Sequence, residues 1–312
     1  MTHPSASCVR NVRFGGCHDT AGRQLLTPLE QRVLDAWRGT LTERALPFST
    51  HLSVLPPDST TLFATSGMQK HKPRFSDPSS SGLILGDVQR CLRLTDLDEL
   101  DNGRHGLMFH MLGLFAFNAG TVPFGIDVVQ SFFRRMGVPL THATVHPDRW
   151  DEWRPFHEPY GLPVHPDPDC KWSDGAVEGY CTEFYVGGLE VGNVVNPLGT
   201  GLDIGLGLER VALALGEPPR TPETHLENAL HVLEADGVVP GLRQQGYVAR
   251  RLVRELRRRG ATSPHPWLQQ ERARFDAQRR RYDRLRPRVG NEDTWTVSTP
   301  VDPDAQGCRS RA

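Results

Sequence analysis

The chain has 312 residues and weighs 34.8 kDa, with 38% hydrophobic and 23% charged residues. That balance excludes bulk disorder and allows one large domain, alone or with a small one. No run of about eighteen apolar residues occurs, which argues against a membrane span. The N-terminus has no apolar signal-peptide core, so a cytoplasmic protein is expected. Six cysteines stand at 8, 17, 91, 170, 181 and 308 without a C-x-x-C pair, pointing to neither a disulfide framework nor a zinc knuckle. Lysine occurs only at 70, 72 and 171, and arginine supplies the other 33 bases, a coding bias of GC-rich genomes such as those of actinobacteria. The net charge of −1 hides an asymmetry: Arg243 to Arg288 holds 15 arginines against four acids, a local +11. Such a segment suits a polyanion or is simply a solvated helix.

Residues 1–26 lack periodicity and read as a loose lead-in. Thr27–Arg44 reads helical, with Leu29, Val33, Leu34, Trp37 and Leu41 on one face. Extended segments are expected at Leu52–Leu55 and Thr61–Ala64, parted by a Pro56-Pro57-Asp58 turn. Strands are expected at Leu83–Leu94 and Phe109–Phe117, and a helix at Ile126–Met136. Pro139–Val145 leads into a strand, and Asp151–Pro155 begins a short helix. Pro163–Pro168 reads as a connection. Further strands are expected at Cys181–Val186, Leu189–Val195 and around Asp203, then a helix at Leu208–Leu215. From Glu223 onward the pattern is helical, interrupted at Gly260–Pro266. Strands first and helices last give an α+β class, with an antiparallel sheet flanked by helices and a C-terminal helical appendix. The expected organisation is a lead-in (1–26), a catalytic domain (27–222), a short Arg-rich helical domain (223–289) and a disordered tail (290–312).

Two segments carry chemistry. Asp203-Ile204-Gly205-Leu206-Gly207-Leu208-Glu209-Arg210 runs straight into a helix. Its glycines let backbone pass beneath a planar ligand, and its Arg suits a base or a phosphate. By itself it also fits a tight strand-to-helix junction, and it lacks the third glycine of a dinucleotide fingerprint. Gln89-Arg90-Cys91-Leu92-Arg93, a loop, Arg104-His105 and Phe109-His110-Met111-Leu112-Gly113 form a plausible nucleotide hairpin. Phe109 alone could equally be core.

Together and in this order they resemble motifs two and three of class II aminoacyl-tRNA synthetases, the alanyl enzymes in particular. Thr61-Leu62-Phe63 with Gly67-Met68, Gly179-Tyr180-Cys181-Thr182-Glu183, and Glu190 with Asn193-Val194-Val195 are similar to other family segments. So are Ala235–Pro240 and Gly246-Tyr247-Val248 with Arg250-Arg251. The likeness covers roughly 29–268. It implies ATP and Mg2+ as cofactors, with the metal brought by ATP, no protein-only metal site and no zinc. Arg93 is similar to the arginine that binds the α-phosphate, and Arg210 covers adenine opposite Phe109. His105, Glu183 and Glu209 belong with the nucleotide. Met68, Asn193, Asp203 and Gly205 belong with the amino acid, Asp203 pairing with its ammonium.

The sequence also departs from the family. Gly192 replaces a Trp, Cys170 or a neighbour replaces another, and His110 replaces a Glu. The loop Leu94–Gly103 is short and carries Asp96, Asp98, Glu99 and Asp101 with no base, a poor surface for a phosphate backbone. Leu242 stands where an Asn reads the acceptor stem, and its side chain cannot hydrogen-bond a base edge. The resulting expectation is a ligase that activates a small amino acid, alanine first, as an aminoacyl-adenylate. Transfer would be to a non-cognate acceptor, such as a nucleoside-antibiotic precursor, another small molecule or a carrier protein in secondary metabolism. Minimal tRNA aminoacylation and an inactive binding paralogue are the rivals. A monomer with no membrane partner is expected.

Overall fold

In the computed structural model, residues 26–285 are described except 57–59, 120, 174 and 176. The lead-in before Leu26, the turn at Pro57-Asp58 and the tail at 290–312 lie outside the described residues. Two compact units divide between Ser263 and Pro264.

In the first unit, helix α1 (Pro28–Thr42) starts at a capping box. Thr27 Oγ1 accepts from Glu30 N at 3.1 Å, and Glu30 Oε2 accepts from Thr27 N at 2.8 Å. Its Val33, Leu34, Trp37 and Leu41 are buried. Strand β1 (Phe48–His51) follows, then the short helix α2 (Lys72–Phe75) and strands β2 (Ile84–Leu92) and β3 (Met108–Ala116). Helix α3 (Val122–Met136) ends at Gly137, whose φ of 68° closes it in the left-handed region. Strand β4 (His142–Val145), helix α4 (Trp150–Trp153) and strands β5 (Val164–Pro166), β6 (Lys171–Ser173), β7 (Glu178–Val186), β8 (Leu189–Pro197) and β9 (Leu202–Gly207) come next. Helices α5 (Leu208–Ala214), α6 (Pro222–Ala235) and α7 (Gln244–Arg258) complete the unit. The second unit's described residues centre on helix α8 (Pro266–Leu285). Among the described residues, no helix is long and apolar enough to cross a membrane.

Among the described residues, one sheet of nine strands runs β1-β2-β3-β9-β8-β7-β4-β5, with β6 beside β7. From β2 to β4 every neighbour is antiparallel, as expected. The two edge pairs, β1 with β2 and β4 with β5, are parallel, so the sheet is mixed. Side chains alternate between the faces. Val88, Leu112, Leu114, Val194, Ile204 and Leu206 fill one face and meet α1, α3 and α5 in the main core. Trp37 sets its ring edge-on to Phe132 of α3 at 5.4 Å.

Three expectations are corrected. Leu52–Leu55 is not a strand, because side chains take its backbone groups. Arg90 Nη1 donates to Leu52 O, Gln89 Nε2 donates to Ser53 O, and Asp236 accepts from Val54 N at 2.7 Å. Thr61–Ala64 is irregular for a similar reason: Gln245 Nε2 donates to Leu62 O at 3.1 Å and Thr61 Oγ1 to Phe63 O at 2.6 Å, while Ala64 makes two isolated backbone bonds. Within Pro163–Pro168, Val164–Pro166 is an edge strand, a place where proline's missing N–H is tolerated.

The β7–β8 ladder slips beside Phe184, leaving Val191 as the extra residue of a bulge. Gly192, the register partner of Phe184, has φ +153°, and a Cβ there would stand 2.4 Å from Gly205 O. Gly192→Ala is expected to lower unfolding free energy by more than about 1 kcal/mol in denaturant titration. An unchanged midpoint would contradict this close approach of β8 to β9.

Candidate active site

The sheet's second face carries the site. Along one row of register partners lie Asp87 (β2), Gly113 (β3), Gly205 (β9), Asn193 (β8) and Glu183 (β7). The two central glycines leave that row hollow. A Cβ on Gly205 would meet Asn193 Oδ1 and Met111 Sδ at 3.4 Å, an ordinary contact. A Cβ on Gly113 would strike Asp87 Oδ1 at 2.7 Å, so glycine is required there. The next row holds Leu85, Phe115, Asp203, Val195 and Cys181.

A cavity of about 190 Å³ opens on this face. Seven of the ten residues assigned to the site from the sequence line it: Arg93, His105, Phe109, Asn193, Gly205, Glu209 and Arg210. Gly192 also lines it, through its backbone position rather than as a vacated wall. Arg93 follows β2, donates from Nε to Thr65 O at 2.8 Å and sets its guanidinium 4.9 Å from the Phe109 ring centre. His105 is held by Asn102, whose amide donates to Nδ1 at 2.7 Å. Arg210 folds back over Gly207, where a Cβ would lie 3.3 Å from it, and pairs with Glu190 at 2.5 Å. The glycine before this helix thus makes room for the arginine inside it.

Met68, Glu183 and Asp203 do not line that cavity. Met68 begins a 3-10 turn that drives it into an apolar cluster with Phe75, Phe115, Phe117 and Val177. The resemblance places it beside the amino acid; here it packs with Phe115, the register partner of Asp203, without lining the cavity. Glu183 accepts from Tyr185 Oη at 2.7 Å, and burial holds its carboxyl above the ordinary value, helped by the charges of Glu190 and Asp167. Asp203 is buried beside Phe115, and among the described residues no hydrogen bond or ion pair reaches its carboxylate. Burial, and then the charge of Asp87, pushes its pKa up to about 8.

Sequence reasoning missed three polar constructions. Asp87 is fully buried: its Oδ2 meets Lys70 Nζ at 2.7 Å and His71 Nε2 at 3.1 Å, while its Oδ1 has no hydrogen-bond partner. His110, read as an oddity, is the centre of a chain. Arg90 Nε can only donate, so His110 Nε2 accepts at 3.2 Å. Nδ1–H then donates to Glu209 Oε1 at 2.8 Å, and the His110 backbone N–H donates to Glu209 Oε2 at 2.9 Å. Burial would raise the Glu209 pKa, yet His110 and Arg220 outweigh it and hold the carboxyl below its ordinary value. Third, Cys170, Cys181 and Glu183 converge although their spacing matches no familiar motif. The first two were legible only as residue types without the partners that give them meaning.

Residues 47–152 match the model of the tRNA synthetases class II (A) family. The alanine–tRNA ligase of Synechococcus sp. strain JA-3-3Ab is 27% identical over 292 residues, covering 67% of this chain and 32% of that protein. That of Corynebacterium jeikeium strain K411 is 26% identical, covering 65% and 33%. That of Borrelia hermsii strain HS1 is 44% identical over 69 residues, covering 22% and 12%. The chain carries an alanyl-tRNA synthetase-like class II catalytic domain. It spans about a third of the length of the first two relatives. Among solved structures, apo S. aureus histidyl-tRNA synthetase aligns with TM-score 0.42 and 13% identity, covering 77% of this chain and 80% of that one.

Two outcomes follow for the synthetase-like site. A buried carboxylate whose folded pKa lies above its ordinary 3.8 destabilises the fold increasingly as pH rises from 3.8 to about 8. Asp203→Asn should therefore raise the melting temperature, with a gain that grows across that window; a pH-independent gain would show that the carboxylate is not so buried. His110→Glu, which restores the family's residue type, sets a second carboxylate against Glu209. We expect a loss of about 3 kcal/mol or more in chemical unfolding, and wild-type stability would refute the His110–Glu209 bond.

Proposed function

We propose that this site activates a small amino acid with ATP as an aminoacyl-adenylate, alanine being the first candidate, and passes it to an acceptor other than cognate tRNA. The observation that carries the first half is the convergence of Arg93, Phe109, Asn193, Gly205 and Arg210 on one cavity, with the unpaired Asp203 carboxylate behind it. The relatives are alanine–tRNA ligases, and their chemistry is carried over here as part of this reading.

In this reading the amino acid's α-carboxylate oxygen attacks the α-phosphorus of ATP, and pyrophosphate leaves. Arg93 offers its guanidinium to the α-phosphate, where charge builds in the in-line step. Its place over Phe109 means that it must yield that ring face before adenine stacks there. Arg210 closes the other side of the base, and His105 lies at the nucleotide end. Asp203 takes the substrate ammonium, an exchange that lowers its raised pKa and offsets its burial. Asn193 holds the amino acid beside it, and Gly205 leaves space for a small side chain. Magnesium enters on the ATP phosphates and shields them. Glu209 gives both oxygens to His110, so its role is to hold the motif-two strand on which Phe109 sits. Glu183, expected with the nucleotide, is instead read here at the amino-acid end of the row, because Asn193 is its register partner.

The acceptor half rests on the hairpin loop. Its carboxylates repel phosphate, and one of them, Asp101, is spent on a two-point pair with Arg259 at the end of α7, 3.2 Å for each contact. Leu242 is 77% exposed just before α7 and presents only carbon. A small acceptor such as a nucleoside-antibiotic precursor, or a carrier-protein thiol, needs neither surface. A second reading, aminoacylation of tRNA by the same site, is favoured by α7, whose leading Arg243 and internal Arg251 are exposed within the same compact unit as the sheet. A monomer working in the cytoplasm completes the proposal.

Amino-acid-dependent exchange of pyrophosphate into ATP tests the first half. Exchange with alanine or another small amino acid is expected, reduced about 100- to 1,000-fold by Arg93→Ala. Absence of exchange with every small amino acid would overturn the reading in favour of a binding paralogue. A gel shift with tRNA-Ala that is lost in Arg251→Ala would favour the second acceptor.

A further inference from the structure

The β6–β7 ladder brings two cysteines face to face at the amino-acid end of the sheet. Lys171 is the register partner of Tyr180, and on the next rung Cys181 N donates to Cys170 O at 2.9 Å. Both thiols are free, and both side chains are buried. Glu183, two residues along β7 from Cys181, points to the same face. The two sulfurs and a Glu183 oxygen all lie within 4.8 Å of one another. Around them stand Thr144, whose hydroxyl lies 2.9 Å from Cys170 Sγ, and Tyr185, whose hydroxyl fixes Glu183 at 2.7 Å.

Among the described residues, no ion pair reaches Glu183. Arg210 is paired with Glu190, and Lys171 with Glu178. Two thiols and a carboxylate gathered in a buried, electronegative corner make a donor set without its charge partner.

We propose that Cys170, Cys181 and Glu183 hold a zinc ion. Thiolate donors select a thiophilic metal over magnesium or calcium. A tetrahedral zinc with Zn–S near about 2.3 Å places its sulfurs about 3.8 Å apart, so the cluster closes on the ion with shifts of about 1 Å. Binding deprotonates both thiols, and the two protons pass to solvent. Tyr185 orients the carboxylate, as hydrogen-bonded groups behind metal ligands commonly do. Three protein ligands leave a fourth position for water or a substrate atom, the pattern of open rather than purely structural zinc sites. The site was invisible in the sequence because its ligands, spaced by ten residues and by one, match no finger or knuckle, and it reverses the expectation of no zinc. It stands independently of the adenylate reading, since its ligands and its readout need no activity.

The test is titration of the reduced, chelator-stripped full chain with Co2+, followed in the thiolate charge-transfer and d–d absorption bands, then displacement by Zn2+. One tetrahedral Co2+ per chain is expected. Cys170→Ser and Cys181→Ser should abolish the thiolate band, Glu183→Gln should alter the d–d spectrum, and Tyr185→Phe should weaken binding about tenfold. Cys91→Ser, which changes a buried thiol outside the cluster, should leave one Co2+ bound with an unchanged spectrum. Circular dichroism of each stripped variant establishes that it folds. A folded wild-type chain without the band, a band that survives in folded Cys181→Ser, or a Cys170–Cys181 disulfide persisting under reductant would each overturn the site.

Discussion

The register that ties β2, β3, β9, β8 and β7 together determines nearly everything else in this molecule. Strand alternation gives each strand one set of side chains for each face. On one face the sets are Leu, Ile and Val, and α1, α3 and α5 seal them. On the other face the same strands present Asp87, Gly113, Gly205, Asn193 and Glu183 in a single row. A slip of one residue in β9 would put Ile204 and Leu206 into the site and Gly205 into the core. The hydrophobic face therefore fixes the geometry of the polar one. The glycines of the row matter because their missing side chains become the space in which a ligand fits.

Behind this face, the strands and the helix after β9 are tied together before any ligand arrives. His110 is threaded between Arg90 and Glu209, which joins the hairpin carrying Phe109 to the helix carrying Arg210. Arg90 also reaches back to Leu52, so the irregular segment before the site is fastened to the same chain. Among the described residues, no hydrogen bond or ion pair reaches the buried carboxylate of Asp203. Such a group costs stability until a cation meets it, so its position marks where the fold and the proposed ligand depend on one another.

Much of this was legible in the sequence, and the limits have physical causes. The periodicity of Val33, Leu34, Trp37 and Leu41 gave α1, because one buried stripe dominated it. The apolar run Phe109–Phe117 gave β3, because both of its faces are covered. Arg93, Phe109, Asn193, Glu209 and Arg210 could be named together because they stand in motifs whose order is informative. Leu52–Leu55 misled because alternating apolar residues cannot reveal that Arg90, Gln89 and Asp236 will take the backbone groups a strand would need. Met68 packs with Phe75, Phe115 and Phe117, its neighbours in space and not in the motif, so the motif alone did not show that it stays off the cavity wall. The meeting of Cys170 with Cys181 and Glu183 required the register of β6 on β7, which no spacing rule supplies.

The account stands most directly on whether this sheet face receives an aminoacyl-adenylate. The decisive measurement is thermal unfolding of the full chain with 5′-O-(N-alanylsulfamoyl)adenosine, a stable mimic of alanyl-adenylate, together with its seryl and glycyl counterparts. The account predicts stabilisation by at least one of them, about 2.7 kcal/mol at a ligand concentration 100 times its Kd, and none in Asp203→Asn. Equal melting temperatures with and without all three mimics would contradict it.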